Sequence, residues 1–455
     1  MRRFSASQIL ILSFALVILG GAVLLQMPFS VRQGDMDFLD AIFTATSAVC
    51  VTGLTVRETG TFFSLGGQVI LLVLLQFGGL GILTMSVFLL HQMGWSISSR
   101  YREAVSNRYP SSARISFREL LHDTVRLTIL VEFVGALSLF IRFYTQSGDF
   151  LKSIGYAVFH SVSAFCNAGF SLFPDSFEAY QSDLWINGTL MVLILTGGIG
   201  FFVLRDIKEN LLTKSQQYLK PFFRRLSIQS RIVLLFSSLL VILGAAFFFV
   251  LEQEDVLAGM SPLEKILCSL FQSVTARTAG FNTVDIYHLT NPTLFVLVLL
   301  MFIGASPGST GGGIKVTSFA TLMMVLYNRL RGRSQTQFYH RALSPEVIQK
   351  TLTLFILSVC FVSICLILLL IFELEGIPHP ESRGMFLELL FETISAFGTV
   401  GLSTGLTPTL HPASKIVVIL LMFVGRLGPL TLAAALEERT KDRGYRLPEE
   451  AVMIG

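Results

Sequence analysis

Residues 42–55 read IFTATSAVCVTGLT, and the phrase returns three times: VFHSVSAFCNAGFS at 158–171, LFQSVTARTAGFNT at 270–283 and LFETISAFGTVGLS at 390–403. Each copy runs from a phenylalanine (Phe43, Phe159, Phe271, Phe391) through small apolar and hydroxylated residues to a glycine (Gly53, Gly169, Gly280, Gly401). The glycines are 116, 111 and 121 residues apart, so one unit is written four times along the chain. The third copy is one residue short: nine residues separate its Phe271 from Gly280, against ten elsewhere, which leaves its local register open.

Outward from each phrase the chain turns apolar. Of 455 residues, 52% are hydrophobic and 14% charged, and the mean hydropathy is +0.68. Ordinary globular chains carry about 25% charged residues. Runs of roughly 20 apolar residues span the roughly 30 Å core of a bilayer as helices. Eight are expected, at 7–29, 66–90, 124–144, 184–204, 232–251, 294–326, 351–372 and 415–436. The first follows Arg2 and Arg3 as a secretory signal would, but it is longer than a signal's apolar region and lacks a small-x-small cleavage site, so it is read as a retained span. The stretches holding the repeated phrase, at 38–52, 154–168, 266–279 and 385–400, are too short to cross. Backbone that enters and returns at membrane depth must be buried in protein or line a watery cavity. Five cysteines, an odd number without a CxxC pair, give neither a disulfide framework nor zinc spacing.

Charge supplies the orientation. Twenty-three of the 34 basic residues fall in the termini or in loops on one side: Arg2 and Arg3; Arg100, Arg102, Arg108, Arg114 and Arg118; Arg205, Lys208, Lys214, Lys220, Arg224, Arg225 and Arg231; Arg329, Arg331, Arg333, Arg341 and Lys350; Arg439, Lys441, Arg443 and Arg446. The positive-inside rule places that side in the cytoplasm, with both termini. The half-crossing stretches then open outward, beside Asp35, Asp37, Asp40, Asp175, Glu178, Asp183, Glu252, Glu254, Asp255, Glu373, Glu375 and Glu381. In aggregate such acids raise the local cation concentration at a pore mouth. Any one of them reads equally well as an ordinary solvated loop residue.

A dehydrated monovalent cation needs oxygens in place of its hydration shell, and backbone carbonyls around an axis supply them. Glycine permits positive φ and close approach, so four loops ending in glycine can make one ring. The expected lining is Cys50-Val51-Thr52-Gly53, Cys166-Asn167-Ala168-Gly169, Arg277-Thr278-Ala279-Gly280 and Gly398-Thr399-Val400-Gly401. The side chains differ widely, which fits a site built from main-chain oxygens. Arg277 would repel a cation on the axis and is expected to point away, toward an outer carboxylate. A single membrane glycine more often serves close helix packing; four at one register after half-helices argue for a shared pore loop.

At these residues the chain resembles the Trk/Ktr/HKT superfamily of potassium-translocating proteins, most closely its KtrB-type membrane subunits, over all four repeats. The resemblance implies a pseudo-fourfold pore within one all-α chain of eight membrane helices, a homodimer of such chains, and potassium uptake across the cell membrane. It makes Gly53, Gly169, Gly280 and Gly401 the filter glycines. Sodium-selecting plant relatives carry serine at the first, so Gly53 favours potassium. A sodium-permeable or sodium-coupled transporter of the same architecture is the alternative, with Na+ as a coupling or activating ion. The repeats are set at 1–91, 120–205, 230–330 and 350–437, with a cytoplasmic tail at 438–455. No GxGxxG follows a strand, so the nucleotide-binding regulator that the resemblance implies, a KtrA-like ring, would be a separate cytoplasmic protein docking on the basic loops.

After each phrase the second span carries a further glycine cluster: Gly78-Gly79-Leu80-Gly81, Gly197-Gly198-Ile199-Gly200, Gly304 through Gly313, and Gly425-Arg426-Leu427-Gly428-Pro429. The third, GASPGSTGGGIKV at 304–316, is polar at hydrocarbon depth and is expected to break its helix, since each interior glycine costs about 1 kcal/mol relative to alanine. Ile314 spoils a phosphate-loop reading of this stretch. A loop here, with Gly304, Ser306, Gly308, Ser309, Thr310, Gly311, Gly312 and Gly313, is expected to obstruct the pore, unless it is only a kink accommodating neighbouring helices. The resemblance implies a gating loop at this place and an arginine, Arg426, facing it as an electrostatic barrier; Lys315 is a weaker gate candidate.

Glu132, Arg126 and Arg142 in the third span are read as ion-paired or interfacial structural residues. Cys50 and Cys166 lack histidine or carboxylate partners and are read as small pore-lining side chains. An alternating-access carrier with inverted repeats is disfavoured because all copies share one orientation. An enzyme is disfavoured because the seven histidines are scattered and no HExxH occurs.

Overall fold

Among the described residues, four helices are long and apolar enough to cross a bilayer, and each opens one copy of the repeated unit: α1 (Ala6–Gln26), α4 (Phe117–Ser147), α8 (Ile228–Glu252) and α12 (Pro345–Glu373). The computed structural model describes residues 6–32, 34–81, 117–212, 222–339, 341–429 and 431. Residues 82–90 of the second expected span, 430 and 432–436 of the eighth, and the tail 438–455 lie outside them. So do the basic positions Arg2, Arg3, Arg100, Arg102, Arg108, Arg114, Lys214, Lys220, Arg439, Lys441, Arg443 and Arg446.

After each long helix comes a short one: α2 (Phe38–Cys50), α5 (Phe150–Phe165), α9 (Pro262–Thr275) and α13 (Met385–Gly398). At 1.5 Å per residue, 13 to 16 residues reach about 20–24 Å, short of a crossing. Three of the starts are written locally. The Asp37 and Asp149 side chains accept the Leu39 and Lys152 amides, and Ser261 with Glu264 forms a capping box ahead of Pro262. These helices are buried along most of their length, which is why they read as apolar without being membrane-long.

The third element of each copy departs from expectation. Helices α3 (Leu65–Leu80), α6 (Leu184–Ile199) and α14 (Pro412–Leu427) each hold 16 residues and stop at a glycine, Gly81, Gly200 or Gly428, with φ of 81°, 95° and 88°. Within the expected spans 66–90, 184–204 and 415–436 the helix therefore stops at these glycines. The chain leaves α6 at 98° to form α7 (Phe201–Leu212). A right-handed helix cannot pass through positive φ, and glycine is the residue that adopts it without a Cβ clash. In the third copy the expected break is larger: α10 (Asn291–Phe302) and α11 (Val316–Leu330) are separated by a loop. A two-residue antiparallel pair, β1 (Gln337–Phe338) with β2 (Arg341–Ala342), precedes α12.

Packing repeats as the sequence does. Within each copy the long helix contacts both partners: α1 with α2 and α3, α4 with α5 and α6, α8 with α9 and α10, α12 with α13 and α14. Between copies, the third helix of one lies on the short helix of the next: α3 on α5, α6 on α9, α10 on α13, and α14 back on α2. The last step returns to the start. It carries an ion pair, Lys415 Nζ to Asp40 at 2.7 Å, nearly buried on both sides.

The glycine clusters make that packing possible. A Cβ on Gly78, Gly197 or Gly425 would strike the carbonyl oxygen of Val49, Phe165 or Phe397, at the C-terminal end of its own copy's short helix. The first glycine of a cluster admits the backbone of the short helix, and the last ends the helix.

Candidate functional site

Each short helix ends in the same backbone turn. The residue two before the glycine has positive φ in every copy: Val51 at 55°, Asn167 at 57°, Thr278 at 76° and Thr399 at 50°; the glycines themselves have φ of 97°, 70°, 81° and 93°. In copies one, two and four the amide before the glycine bonds five residues back, Thr52 to Ser47 O, Ala168 to Ser163 O and Val400 to Ser395 O, at 2.8–2.9 Å. In copy three, Ala279 bonds four residues back to Thr275 O. The missing residue thus lies between Thr275 and Gly280, and this settles the register that the sequence left open.

The same four hydroxyl residues brace the turn. Ser47 Oγ and Ser395 Oγ accept the amides of Gly53 and Gly401 at 3.1 Å, while Ser163 Oγ and Thr275 Oγ1 donate to Phe170 O and Phe281 O at 2.8 and 2.6 Å. The signal was present in the aligned phrases, where a hydroxyl followed by alanine recurs: Ser47-Ala48, Ser163-Ala164, Thr275-Ala276, Ser395-Ala396.

The four glycines touch in cyclic order. A Cβ on Gly53 would stand 2.6 Å from Ala168 O, and one on Gly169 2.9 Å from Ala279 O; on Gly280 and Gly401 it would collide with Val400 O and Thr52 O. Each glycine thus faces the last carbonyl before the next copy's glycine, and the fourth step closes on the first. There is no room for a side chain at any of the four.

A cavity of about 580 Å³ lies against this ring, lined by Gly53, Gly169, Gly280 and Gly401 together with Glu58, Asp175, Glu178 and Asp285. Of the other expected lining residues none contributes to it. Cys50, Val51, Thr52, Cys166, Asn167, Ala168, Arg277, Thr278, Ala279, Thr399 and Val400 are buried, as is Gly398. The Thr399 hydroxyl accepts the Gly312 amide at 3.0 Å. Arg277 points away as expected, but not to a carboxylate: its guanidinium donates to Ser237 O and Oγ on α8 at 3.0 and 3.1 Å. Neither cysteine lines this cavity, and against expectation Cys166 has a carboxylate beside it. The Cys166 thiol faces the Gln76 and Glu132 side chains at 3.8 and 3.9 Å. Glu132 is held by the Gln76 amide at 3.2 Å rather than by a cation, Arg142 pairs with Asp183 at 2.7 Å, and Arg126 is exposed.

Glu58 and Asp285 are acids that sequence reading missed. Each stands five residues after its glycine, a register visible only when the alignment is carried past the phrase. Several acids that were expected at the mouth serve locally instead. Asp37 and Asp183 cap helices, Asp40 pairs with Lys415, Glu252 accepts from Thr290, and Glu373 accepts from the His411 amide. Glu178 is the mouth acid with a displaced titration: burial, then the nearby Asp285 and Asp175 charges, push its carboxyl above the usual range.

Beyond the C-terminal ends of the short helices, the loop between α10 and α11 crosses to the other copies. Gly304 N–H bonds Ile314 O at 2.8 Å, closing the loop's base. Ser306 and Thr310 amides reach Gly198 O and Gly197 O, the Phe201 amide reaches Gly308 O, and the Gly313 amide reaches Gly425 O, at 3.1–3.3 Å. Lys315 Nζ donates to Gly311 O at 2.6 Å. Arg426 donates to Thr310 O on one side and to Gly78 O of the first copy on the other. A second cavity of about 230 Å³ is bounded by Gly79, Gly81, Gly308, Ser309, Lys315 and Arg426. All the expected loop residues and Arg426 are therefore brought together.

Comparison with known proteins shows the family. The profile of the TrkH family, described as "Cation transport protein", matches residues 3–441. The chain is 37% identical to the Ktr system potassium uptake protein B of Vibrio alginolyticus, over 98% of this chain and 94% of that one. It is 32% identical to the potassium/sodium uptake protein NtpJ of Enterococcus hirae, over 100% and 98%. In fold it is similar to the crystal structure of the potassium transporter TrkH from Vibrio parahaemolyticus, with a TM-score of 0.70 and 21% identity, over 95% of this chain and 84% of that one.

Proposed function

We propose, from the premise that the chain belongs to the TrkH family of cation transport proteins, that it takes potassium into the cell through a ring of main-chain oxygens. The four repeats surround one axis, with eight membrane passages and both termini in the cytoplasm. The observation that carries this reading is the cyclic contact of Gly53, Gly169, Gly280 and Gly401, each against the last carbonyl of the next loop.

The chemistry follows from the parts. Glu58, Asp175, Glu178 and Asp285 concentrate cations at the mouth. The ion exchanges water for carbonyl oxygens of Thr52, Ala168, Ala279 and Val400, which the positive-φ turns hold near the axis. The short helices end at the ring, so their partially negative C-termini lower the energy of a cation there. Below the ring the loop 303–315 obstructs the path, and Arg426 adds a positive charge that an ion must pass. The loop is tied to copies two and four by hydrogen bonds to Gly197, Gly198, Phe201, Thr399, Gly425 and Arg426, so rearrangement of those copies is what would release it.

Potassium rather than sodium is supported by Gly53, where sodium-selecting relatives carry serine. The similarity to a potassium/sodium uptake protein keeps sodium as a second permeant or coupling ion. The name Ktr system, carried by a close relative, supports partnership with a further component, which we assign as a cytoplasmic nucleotide-binding regulator docking on the basic loops, with the membrane chain as a homodimer.

The test is cation flux through the purified chain in liposomes, comparing potassium with sodium for the native protein and for Gly53→Ser. Selective potassium flux that loses selectivity in the variant supports the reading. Equal permeability ratios in the two overturn the filter.

A further inference from the structure

Nine residues before the glycine, each short helix carries a different buried side chain: Thr44 in copy one, His160 in copy two and Glu392 in copy four, with Gln272 at the matching place in the shortened copy three. In copies two and four this side chain reaches the same two points beyond the glycine. Glu392 accepts the Ser403 hydroxyl, two residues past Gly401, and the Thr404 amide, three past it, the latter at 3.1 Å. His160 Nε2 contacts the Ser171 hydroxyl, two past Gly169, at 3.2 Å and accepts the Leu172 amide, three past it, at 3.1 Å. Nδ1 of His160 lies 2.8 Å from Tyr156 O, which fixes the proton on Nδ1 and leaves Nε2 as the acceptor. A third donor, Thr407 Oγ1 at 2.7 Å, completes the Glu392 carboxylate.

Two unrelated side chains thus perform one connection, and the loops they serve are opposite each other in the cyclic order. Copies one and three do it differently. Thr44 donates to Asp40 O inside its own helix, and loop three is held from outside by Asn282, which donates to Glu178 at 2.7 Å. Ser171 and Ser403 themselves line the mouth cavity. The links therefore fix backbone that is in direct line with Gly169 and Gly401.

We propose that Glu392 and His160 are positioning residues of the filter. By pinning the backbone just beyond Gly401 and Gly169, they set where the carbonyls of two opposite loops stand, and with them the preference for potassium over sodium. The proposal rests on the filter reading given above. Neither side chain touches the ion; each acts through the strand it holds. Cutting one of these hydrogen bonds leaves a buried donor without a partner. Glu392 carries three, so the fourth loop is the more sensitive.

The experiment is the potassium-to-sodium permeability ratio in liposomes for Glu392→Ala, Glu392→Gln, His160→Ala and the filter variant Gly53→Ser. Glu392→Ala is expected to lower the ratio by about fivefold or more. Glu392→Gln keeps an oxygen for the Thr404 amide and is expected to restore most of the ratio; His160→Ala should lower it by a smaller factor. Thr393→Val removes a hydroxyl that bonds Leu389 O within the same helix and should leave the ratio unchanged. If Glu392→Ala does not fold, Thr407→Val severs one arm of the same carboxylate and should shift the ratio in the same direction. A normal ratio in Glu392→Ala or Thr407→Val, with Gly53→Ser still altered, overturns the positioning role while the filter stands. An unaltered ratio in Gly53→Ser overturns the filter itself.

Discussion

The glycine ring and the loop 303–315 lie next to each other but are built on opposite plans. The ring is assembled from four near-identical turns, with the same positive-φ pair in each and every glycine pressed on the next loop's carbonyl. Among the described residues such a loop is seen in copy three alone: the third helices of the other copies stop at Gly81, Gly200 or Gly428, whereas in copy three the chain opens into a stretch that hydrogen-bonds to copies two and four. The contrast teaches what duplication is suited to. On the proposed function, the repeated unit supplies equivalent oxygens around an ion, and the one divergent copy supplies the object that obstructs the path.

If that division of labour holds, damage to the ring changes which ion passes and damage to the loop changes how much passes. The largest effect is expected from Gly401→Ala. Its Cβ would collide with Thr52 O, and alanine disfavours φ of 93°, a strain of about 1–3 kcal/mol. The displaced carbonyl should cost about tenfold in the potassium-to-sodium ratio, measured by competitive flux in liposomes. An unchanged ratio would mean that the ring is only a packing device.

Next in size is deletion of Gly308–Gly313, which removes the body of the loop and its ties to Gly197 and Gly425. Potassium flux should rise several-fold with the ion preference retained, and thermal melting of the purified chain would confirm that the protein still folds. Equal or lower flux in a folded variant would remove the loop from the gate.

Arg426→Gln sharpens the same contrast more gently. Arg426 bridges Thr310 O and Gly78 O, so its loss frees the loop on one side and, on the proposed function, removes a half-buried positive charge from the path. Flux should increase by a smaller factor than on deletion, again without a change in preference. A fall in selectivity instead would place Arg426 with the filter.

The smallest effect is expected at the mouth, and it depends on pH. The Glu178 carboxyl is raised by burial and by Asp285 and Asp175; Asn282 and His288 are the groups that favour its charged form. A raised acid takes up its proton at a higher pH than an ordinary carboxyl, so as pH falls the mouth loses the Glu178 charge early. At low ionic strength potassium entry should fall by about a factor of two over that range, and Glu178→Gln should show the lower rate already at neutral pH. High salt should mask both. A pH response unaltered in Glu178→Gln would assign it to another group.

How far the sequence carried this picture depends on what kind of signal each part leaves. The four phrases and their glycines were legible because the ring requires the same residue at the same register every time. The large break at 304–316 was legible because five glycines and four hydroxyl or charged residues interrupt an apolar run. The smaller breaks were not. Hydropathy stays high through Gly78–Gly81 and Gly197–Gly200, and only the backbone reveals that the last glycine stops the helix. Glu58 and Asp285 were hidden because the copies diverge beyond the repeated phrase, with Pro174 and Leu406 at the matching places in copies two and four. Glu392 and His160 were hidden for the opposite reason: one connection is made by two chemically unrelated side chains, so an alignment that looks for likeness passes over it. Arg277 was half legible. The cost of a cation on the axis predicts that it turns away, but not that backbone and hydroxyl oxygens of Ser237 receive it.

The most direct test of the shared ring is crystallographic: anomalous scattering from thallium or rubidium soaked in place of potassium. A single peak on the common axis, among the carbonyls of Thr52, Ala168, Ala279 and Val400, is the predicted result. A peak held by side chains to one side of the glycines, or by one loop alone, would contradict the account.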